Sequence, residues 1–321
     1  MKAAVVGEKT LEIREMPRPQ PKSSELLIKV HAIGMNRTEL PGSYGSGHTR
    51  KTGTIPGIEW SGEVTECGTD VKGFKPGDRV MCNGRAGGYA EYAVADFGRT
   101  ISIPDSVSWQ QAATYPAALG TMHDAIVTNA RLQRGEAILI QGASSGVGLM
   151  GMQVAKLWGA ALVIGTSTND ARRARLKEFG ADLAVDTRKA NWSEDVLEAT
   201  DGNGVAVIID MISGPVVNEN MKAAAVRGRI VNVGRLGSGH ADFDCNLHAK
   251  KRITYIGVTH RTRSIDELRD EVSNMRRDLW DAVLAGRFSL PIDRVFKLED
   301  AEAAQAHMRT NAHFGKSVIV P

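Results

Sequence analysis

Residues 137–165 show the clearest succession of hydrophobic patterns in the chain. Residues 137–141 form a short apolar run without alternation, which is typical of a strand buried on both faces of a parallel sheet. Residues 149–158 then place apolar side chains at helical spacing and leave a polar side. A second apolar run ends at residue 165. This order predicts a strand, a helix and a second strand that pack as a βαβ unit.

The same alternation of short apolar runs and helical patterns continues to about residue 258. Further strands are predicted at residues 184–186, 205–210, 229–233 and 253–258. Further helices are predicted at residues 170–179, 192–199 and 216–226. Parallel strands need crossover helices between them, so the pattern predicts a doubly wound parallel sheet in an α/β protein.

The first hundred residues follow a different pattern. Short strands are predicted at residues 25–32, 57–66 and 78–82, between turns rich in glycine and proline. This density of strands predicts a compact barrel-like or sandwich-like domain. Residues 110–129 are predicted to be helical, with a break near Pro116 and Gly120.

The end of the chain differs again from the alternating part. Amphipathic helices are predicted at residues 265–285 and 301–309, and a final strand at residues 316–320. We therefore expect a discontinuous first domain, residues 1–122 and 262–321. A nucleotide-binding domain, residues 123–261, is inserted into it.

Composition excludes several classes of protein. The chain of 321 residues is 42% apolar and 24% charged, as in globular proteins, and its net charge of +3 gives no reason to invoke nucleic acid or a membrane. No run suits a signal peptide or a membrane span, so a cytoplasmic location is expected. Cys67, Cys82 and Cys245 fit neither a disulfide framework nor a zinc cluster and are expected to be reduced.

The turn between the first strand and its helix is rich in glycine. A strand, a glycine-rich turn, a helix and a second strand in this order predict a site for a dinucleotide cofactor. Glycines at 146 and 148 let the backbone approach a phosphate, and the free N–H groups at the helix start attract an anion. The alternative is an ordinary tight turn. The predicted pyrophosphate-binding residues are Ala143, Ser144, Ser145, Gly146, Val147 and Gly148.

The end of the second strand bears on the choice between NADPH and NADH. A fold that prefers NAD usually has an acidic residue there for the ribose hydroxyls. Here Gly165 is followed by Thr166 and Ser167, and then by Arg172, whose side chains can donate to a 2′-phosphate. NADPH is therefore predicted. NADH is the alternative, because the Asp170 carboxylate could accept hydrogen bonds from the ribose hydroxyls. The alternative for the arginines of this segment is a solvated helix face.

Two later strand ends are expected to lie at the same edge of the sheet. Cofactors bind outside the carboxyl ends of parallel strands, at the point where the strand order reverses. The residues predicted to contact the cofactor there are Asn232, Val233, Gly234, Ile256, Gly257 and Val258.

Short motifs spread over nearly the whole chain point to one family. They are GMNRTE at 34–39, PGIEWSG at 56–62, GFKPGDRV at 73–80, GGYAEY at 87–92, the ASSGVG turn, GAD at 180–182, and Gly315-Lys316. With these motifs the chain resembles the medium-chain dehydrogenase/reductase superfamily, and within it the zinc-independent NADPH:quinone oxidoreductases.

This resemblance implies a GroES-like, β-rich catalytic domain plus a Rossmann domain, with substrate in the cleft between them. It also implies a homodimer, formed through an edge strand such as residues 253–258. Ala143, which departs from the commonest glycine pattern, matches the form of the turn in this subfamily. Arg172 falls where similar family members carry a basic residue.

The resemblance also predicts that no metal is bound. Zinc-dependent members of the superfamily would place a cysteine at Asn36 and a histidine at Ile58. An amide is a poor zinc ligand and isoleucine is none. The four-cysteine lobe that holds a structural zinc is missing as well, and the eight histidines show no ligand spacing.

Without a metal, the expected reaction is hydride transfer to a quinone or to the β-carbon of an enone, since these acceptors are already conjugated. By resemblance, Asn36 is predicted to bind the nicotinamide ribose or the substrate oxygen, and Glu39 to act in the site or to order its loop. Tyr44 is a predicted proton donor, and Thr121 matches a threonine near the nicotinamide. Two alternatives stay open: an enoyl or alkenal double-bond reductase, and a non-catalytic NADPH-binding protein of structural or RNA-binding kind.

Overall fold

A computed structural model describes residues 1–40 and 51–321. Within them the chain forms two compact units. Residues 1–40, 51–117 and 264–321 belong to the first unit, and residues 118–263 to the second. No helix in the described part of the chain is long and apolar enough to cross a membrane.

The strands are numbered in chain order. They are β1 Lys2–Val6, β2 Leu11–Glu15, β3 Glu25–Gly34, β4 Glu59–Cys67, β5 Arg79–Asn83, β6 Tyr92–Asp96, β7 Thr100–Ser102, β8 Ala137–Ile140, β9 Leu162–Thr166, β10 Leu183–Val185, β11 Val205–Asp210, β12 Ala224–Asn232, β13 Thr254–Gly257, β14 Ile292–Lys297 and β15 Lys316–Val320.

The α-helices are numbered in the same way. They are α1 Trp109–Ala112, α2 Pro116–His123, α3 Gly146–Leu157, α4 Asp170–Ala174, α5 Trp192–Glu198, α6 Val217–Ala223, α7 Cys245–Lys251, α8 Ile265–Leu284 and α9 Ala301–Arg309. A π-helical segment, Asp124–Asn129, continues α2.

The first unit is built on a sheet with strand order β14-β15-β3-β4-β5-β7, in which β6 also pairs with β3. Strand β15 lies antiparallel to β3, so the last residues of the chain pair with residues near the beginning. The end of the chain thus lies in the same sheet as residues 25–34. The core of the unit contains Trp60, which is fully buried.

The second unit contains the predicted doubly wound sheet, with order β10-β9-β8-β11-β12-β13 and every recorded pairing parallel. The order reverses between β8 and β11, and ligands of such sheets bind at this point. The central strands are apolar on both faces because helices cover both sides. Their fully buried side chains include Leu139, Ile164, Ile208 and Ile230.

Most predicted elements are confirmed, and one is wrong at its end. The helix predicted at residues 216–226 stops at Ala223, because Ala224 pairs with Val205 and begins β12. Tertiary pairing has overridden the helical propensity of the alanines there. The helix predicted at residues 170–179 divides into α4 and a 3-10 turn, Leu176–Phe179. Helix α7 and strands β1, β2, β6, β7 and β14 were not predicted.

Candidate active site

The glycine-rich turn joins β8 to α3 and is held by its own side chains. Ser145 caps the helix: its Oγ accepts a hydrogen bond from the N–H of Gly148 at 3.1 Å and donates to the carbonyl of Gly142 at 3.0 Å. A Cβ on Gly148 would lie 2.6 Å from the Cα of Ala143, so only glycine lets the helix pack this closely under the turn. Gly142 adopts a φ of +69°, which also favours glycine.

This turn fits the pyrophosphate of a nicotinamide cofactor. The N–H groups of Gly146 and Val147 lie in the first turn of a 12-residue helix and have no intrahelical partner. Ser144, Ser145 and Val147 are partly exposed, so a ligand can reach this end of the helix. Free N–H groups and the helix dipole together attract an anion. Ala143 is fully buried and takes part through its backbone, since its N–H donates to the carbonyl of Thr166.

Thr166 and Ser167, predicted to contact a 2′-phosphate, lie at the end of the neighbouring strand β9 and contact this turn. The Thr166 hydroxyl donates to Oε1 of Gln141 at 2.7 Å and accepts from the N–H of Gly142 at 3.0 Å. Thr166 is 1% exposed, and its only hydroxyl proton is therefore used inside the protein. Ser167 Oγ lies 3.1 Å from Ser144 Oγ. Both residues order the turn, and a donor role for Thr166 would require its bond to Gln141 to break.

An exposed cluster of opposite charges lies beyond β9 and β10. Arg173 contacts Asp170 at 2.7 Å, and Arg188 contacts both Asp170 and Asp186. Hydrogen bonds from Arg173 lower the pKa of Asp170, and hydrogen bonds from Arg188 hold the pKa of Asp186 far below its usual range. Two guanidinium groups therefore balance the charge of Asp170, the acidic residue considered for NADH. Arg172 lies in the first turn of α4, which also carries Asp170 and Arg173, and it is half-buried.

The later strand ends meet at the same edge of the sheet, as predicted. Asn232 pairs with Gly257 across β12 and β13, and the N–H of Val258 donates to the Asn232 carbonyl. The N–H groups of Val233 and Gly234 donate to the carbonyl of Asp210 at 2.8 and 3.1 Å. Ile256 is half-buried beside them, and Thr121 is half-buried in α2.

Asn36 lies in a buried cluster of charged and amide groups in the first unit. The Lys316 ammonium contacts Oε1 of Glu59 at 2.5 Å and donates to Oδ1 of Asn36 at 2.9 Å. Nδ2 of Asn36 donates to Glu59 Oε1 at 2.7 Å and to the Gly34 carbonyl at 3.3 Å. Both amide protons of Asn36 are thereby used. Only a lone pair on Oδ1 is left for a ligand, so the amide can accept a hydrogen bond but cannot donate one.

Glu39 holds the loop that carries Asn36. Its carboxylate accepts hydrogen bonds from the N–H of Asn36 at 3.1 Å, the N–H of Ile58 at 3.0 Å and the hydroxyl of Tyr89 at 2.7 Å. Burial raises the pKa of Glu39, and these hydrogen bonds oppose the rise. With 6% exposure and three partners inside the protein, Glu39 favours the loop-ordering hypothesis. Tyr44, the predicted proton donor, lies outside the described residues.

The residues at the position of a catalytic zinc do not fit that metal. Ile58 carries no donor atom, and Asn36 offers an amide oxygen that already accepts from an ammonium group. In the described ranges, 1–40 and 51–321, no group of three or more His, Cys, Asp or Glu side chains is arranged to hold a metal ion.

Sequence reasoning did not assign roles to several residues that build these sites. Glu59 and Lys316 were named only as parts of family motifs and were given no role. A lysine at the start of an otherwise apolar strand, KSVIV, could have indicated a buried cation. Arg188 and the buried polar residues Gln141, Asp210 and Asn220 were not singled out. Polar residues at the ends of β8 and β11 were a signal for the last group, since such strand ends meet at one edge.

Comparison with protein families gives two matches along the chain. Residues 22–105 match the alcohol dehydrogenase GroES-like domain, and residues 146–277 match the zinc-binding dehydrogenase family. The first range lies within the β-rich unit, and the second covers most of the unit with the parallel sheet and the first part of α8.

Individual relatives cover all or nearly all of the chain. It is 30% identical to a quinone oxidoreductase of Rattus norvegicus over 94% of this chain and 91% of that protein. It is 31% identical to quinone oxidoreductase-like protein 2 of Bos taurus, over 99% and 92%. A mycobacterial protein solved in complex with NADPH superimposes with a TM-score of 0.89 at 27% identity, over the full length of both chains.

The buried cluster gives a prediction about stability. Lys316→Met leaves the Glu59 carboxylate buried without its cation, so we expect the free energy of unfolding, measured in urea, to fall by about 3–5 kcal/mol. The double variant Glu59→Gln/Lys316→Met removes both charges and should recover part of that loss. A Lys316→Met protein within about 1 kcal/mol of wild type would show that the pair contributes little.

Proposed function

Because the chain belongs to the quinone oxidoreductase-like family of medium-chain dehydrogenases/reductases, and is an NAD(P)-dependent oxidoreductase, we propose that it reduces a quinone with NADPH and without a metal. The observation that carries the proposal is the cluster of Asn36, Glu59 and Lys316. By resemblance, Asn36 and Ile58 stand where zinc ligands would be, and Asn36 is already hydrogen-bonded to the Lys316 ammonium group and to Glu59. The proposed reaction is therefore one that needs no Lewis acid.

The preference for NADPH rests on the charges beyond β9. The Asp170 carboxylate is already paired with Arg173 and Arg188, so ribose hydroxyls would compete with both guanidinium groups for it. Arg172, on the same short helix, is the residue that we propose to bind the 2′-phosphate. Charge-assisted hydrogen bonds from a guanidinium group to a phosphate are strong and directional.

The chemistry of the proposed reaction is balanced by one hydride and one proton. The dihydronicotinamide, when bound, supplies the hydride, and a proton from water completes the hydroquinone. The chain holds the pyrophosphate at the glycine-rich turn and leaves an Asn36 lone pair for a hydroxyl donor, for which a ribose hydroxyl is suited. Asn36 cannot donate to a substrate oxyanion while both its protons are engaged. Positioning of the two reactants is the main contribution expected of the protein.

We also propose that two copies associate along β13. This strand ends the strand order of the described sheet, and Tyr255 and Ile256 on it are half-buried. Edge strands offer unpaired backbone groups to a second chain.

A panel of acceptors tests the reaction. NADPH consumption should be fastest with 9,10-phenanthrenequinone or a naphthoquinone, and at least about tenfold slower with a short enone, on the scale of about 1.4 kcal/mol in activation free energy. Faster turnover of the enone would identify a double-bond reductase instead. Tight NADPH binding without turnover of any acceptor would support the non-catalytic alternative.

A second test concerns the cofactor. Arg172→Ala should raise the KM for NADPH about tenfold or more and leave the KM for NADH nearly unchanged, because only NADPH carries the 2′-phosphate. Arg175→Ala is the matched control: this arginine is exposed, pairs with Glu178 and should change neither constant. Equal changes for both cofactors would remove Arg172 from phosphate recognition.

A further inference from the structure

A line of buried side chains runs beneath the glycine-rich turn and connects three strand ends. Asn220 Nδ2 donates to Asp210 Oδ2 at 3.0 Å, and Gln141 Nε2 donates to Asn220 Oδ1 at 2.7 Å. The Thr166 hydroxyl donates to Gln141 Oε1, and the N–H of Gly142 donates to that hydroxyl. Asp210, Asn220 and Gln141 are fully buried. The line therefore begins at a carboxylate and ends at the first glycine of the turn.

The carboxylate fixes the direction of every bond in this line. Both oxygens of Asp210 accept hydrogen bonds, Oδ1 from backbone N–H groups and Oδ2 from Asn220, so Asn220 presents its NH₂ group to Asp210 and its oxygen to Gln141. Gln141 must in turn present its NH₂ group to Asn220 and its oxygen to Thr166. The Thr166 hydroxyl gives its proton to that oxygen and keeps a lone pair for Gly142. If the line were reversed, the buried Thr166 proton would lose its acceptor.

Asp210 also shapes the loop that follows its own strand. Its Oδ1 accepts hydrogen bonds from the N–H groups of Ile212 and Ser213, at 2.8 and 2.9 Å. Ser213 has a φ of +56°, a left-handed conformation that is unfavourable for serine, and these bonds help to hold it. One carboxylate thus ties the loop after β11 to the turn after β8.

We propose that Asp210 is a positioning residue for cofactor binding, which sets the conformation of the pyrophosphate-binding turn through Asn220, Gln141 and Thr166. The inference rests on the proposed function in one respect, namely that a nicotinamide cofactor occupies this turn. Asp210 lies below the turn and acts through other residues. A change at Asp210 is expected to weaken binding of the pyrophosphate, and therefore to affect NADPH and NADH equally, since both cofactors contain it.

An exchange of the two residues tests the direction of the line. In Asp210→Asn, an NH₂ group faces the NH₂ group of Asn220, and we expect the Kd for both NADPH and NADH to rise about tenfold, with kcat at saturating cofactor unchanged. In the double variant Asp210→Asn/Asn220→Asp, the new carboxylate accepts from both neighbours, and every bond is kept. Its Kd values should return to within about twofold of wild type.

Controls separate this role from a general loss of stability. Ser193→Ala removes another buried hydrogen bond of the same unit, from the Ser193 hydroxyl to Glu219 at 2.6 Å, and should lower the Tm without changing either Kd. If the double variant does not fold, Thr166→Val removes the last link and should raise both Kd values as Asp210→Asn does.

Three outcomes would decide against the proposal. Wild-type affinity in a folded Asp210→Asn protein would overturn this inference alone, and so would a folded double variant that binds no better than Asp210→Asn. Wild-type protein that binds neither cofactor would contradict the proposed function as well.

Discussion

The ion pair between Lys316 and Glu59 is the interaction on which the first unit's site depends. Two opposite charges buried in a medium of low polarity are stable only when hydrogen bonds satisfy their remaining atoms. Here Asn36 and the N–H of Ala117 supply those bonds to Glu59. The pair therefore fixes the orientation of the Asn36 amide, and Glu39 fixes the backbone that carries it. What a ligand meets at this position is an acceptor held in place.

The second unit uses the same principle in a different setting. Asp210, like Glu59, is a buried carboxylate that can only accept while it is ionised, and it orients an asparagine amide beside it. In both units the carboxylate acts on ligand-facing groups through an amide. Fixed hydrogen-bond polarity of this kind excludes alternative side-chain orientations, and the binding groups are then ordered before a ligand arrives.

Much of the fold followed from the sequence because its signals are local. Strands β11 and β15 and helix α9 have the predicted bounds, since apolar runs and helical spacing depend only on neighbouring residues. The predicted boundary between α6 and β12 was wrong because β12 begins where Ala224 pairs with Val205, and a local pattern does not report that pairing. Lys316 and Glu59 are 257 positions apart, and no local pattern brings them together. The position of Thr166 at the end of the second strand predicted a phosphate donor, but in the structure its hydroxyl donates to Gln141, a partner that only the folded sheet supplies.

We propose that this protein transfers hydride from NADPH to a quinone without a metal. The decisive measurement is the rate of NADPH oxidation with a quinone in protein that has been stripped by a strong chelator and shown by elemental analysis to be free of zinc. The stripped protein is expected to keep the full rate, and added Zn²⁺ is expected not to increase it. Loss of activity on stripping, with recovery when Zn²⁺ is returned, would contradict it.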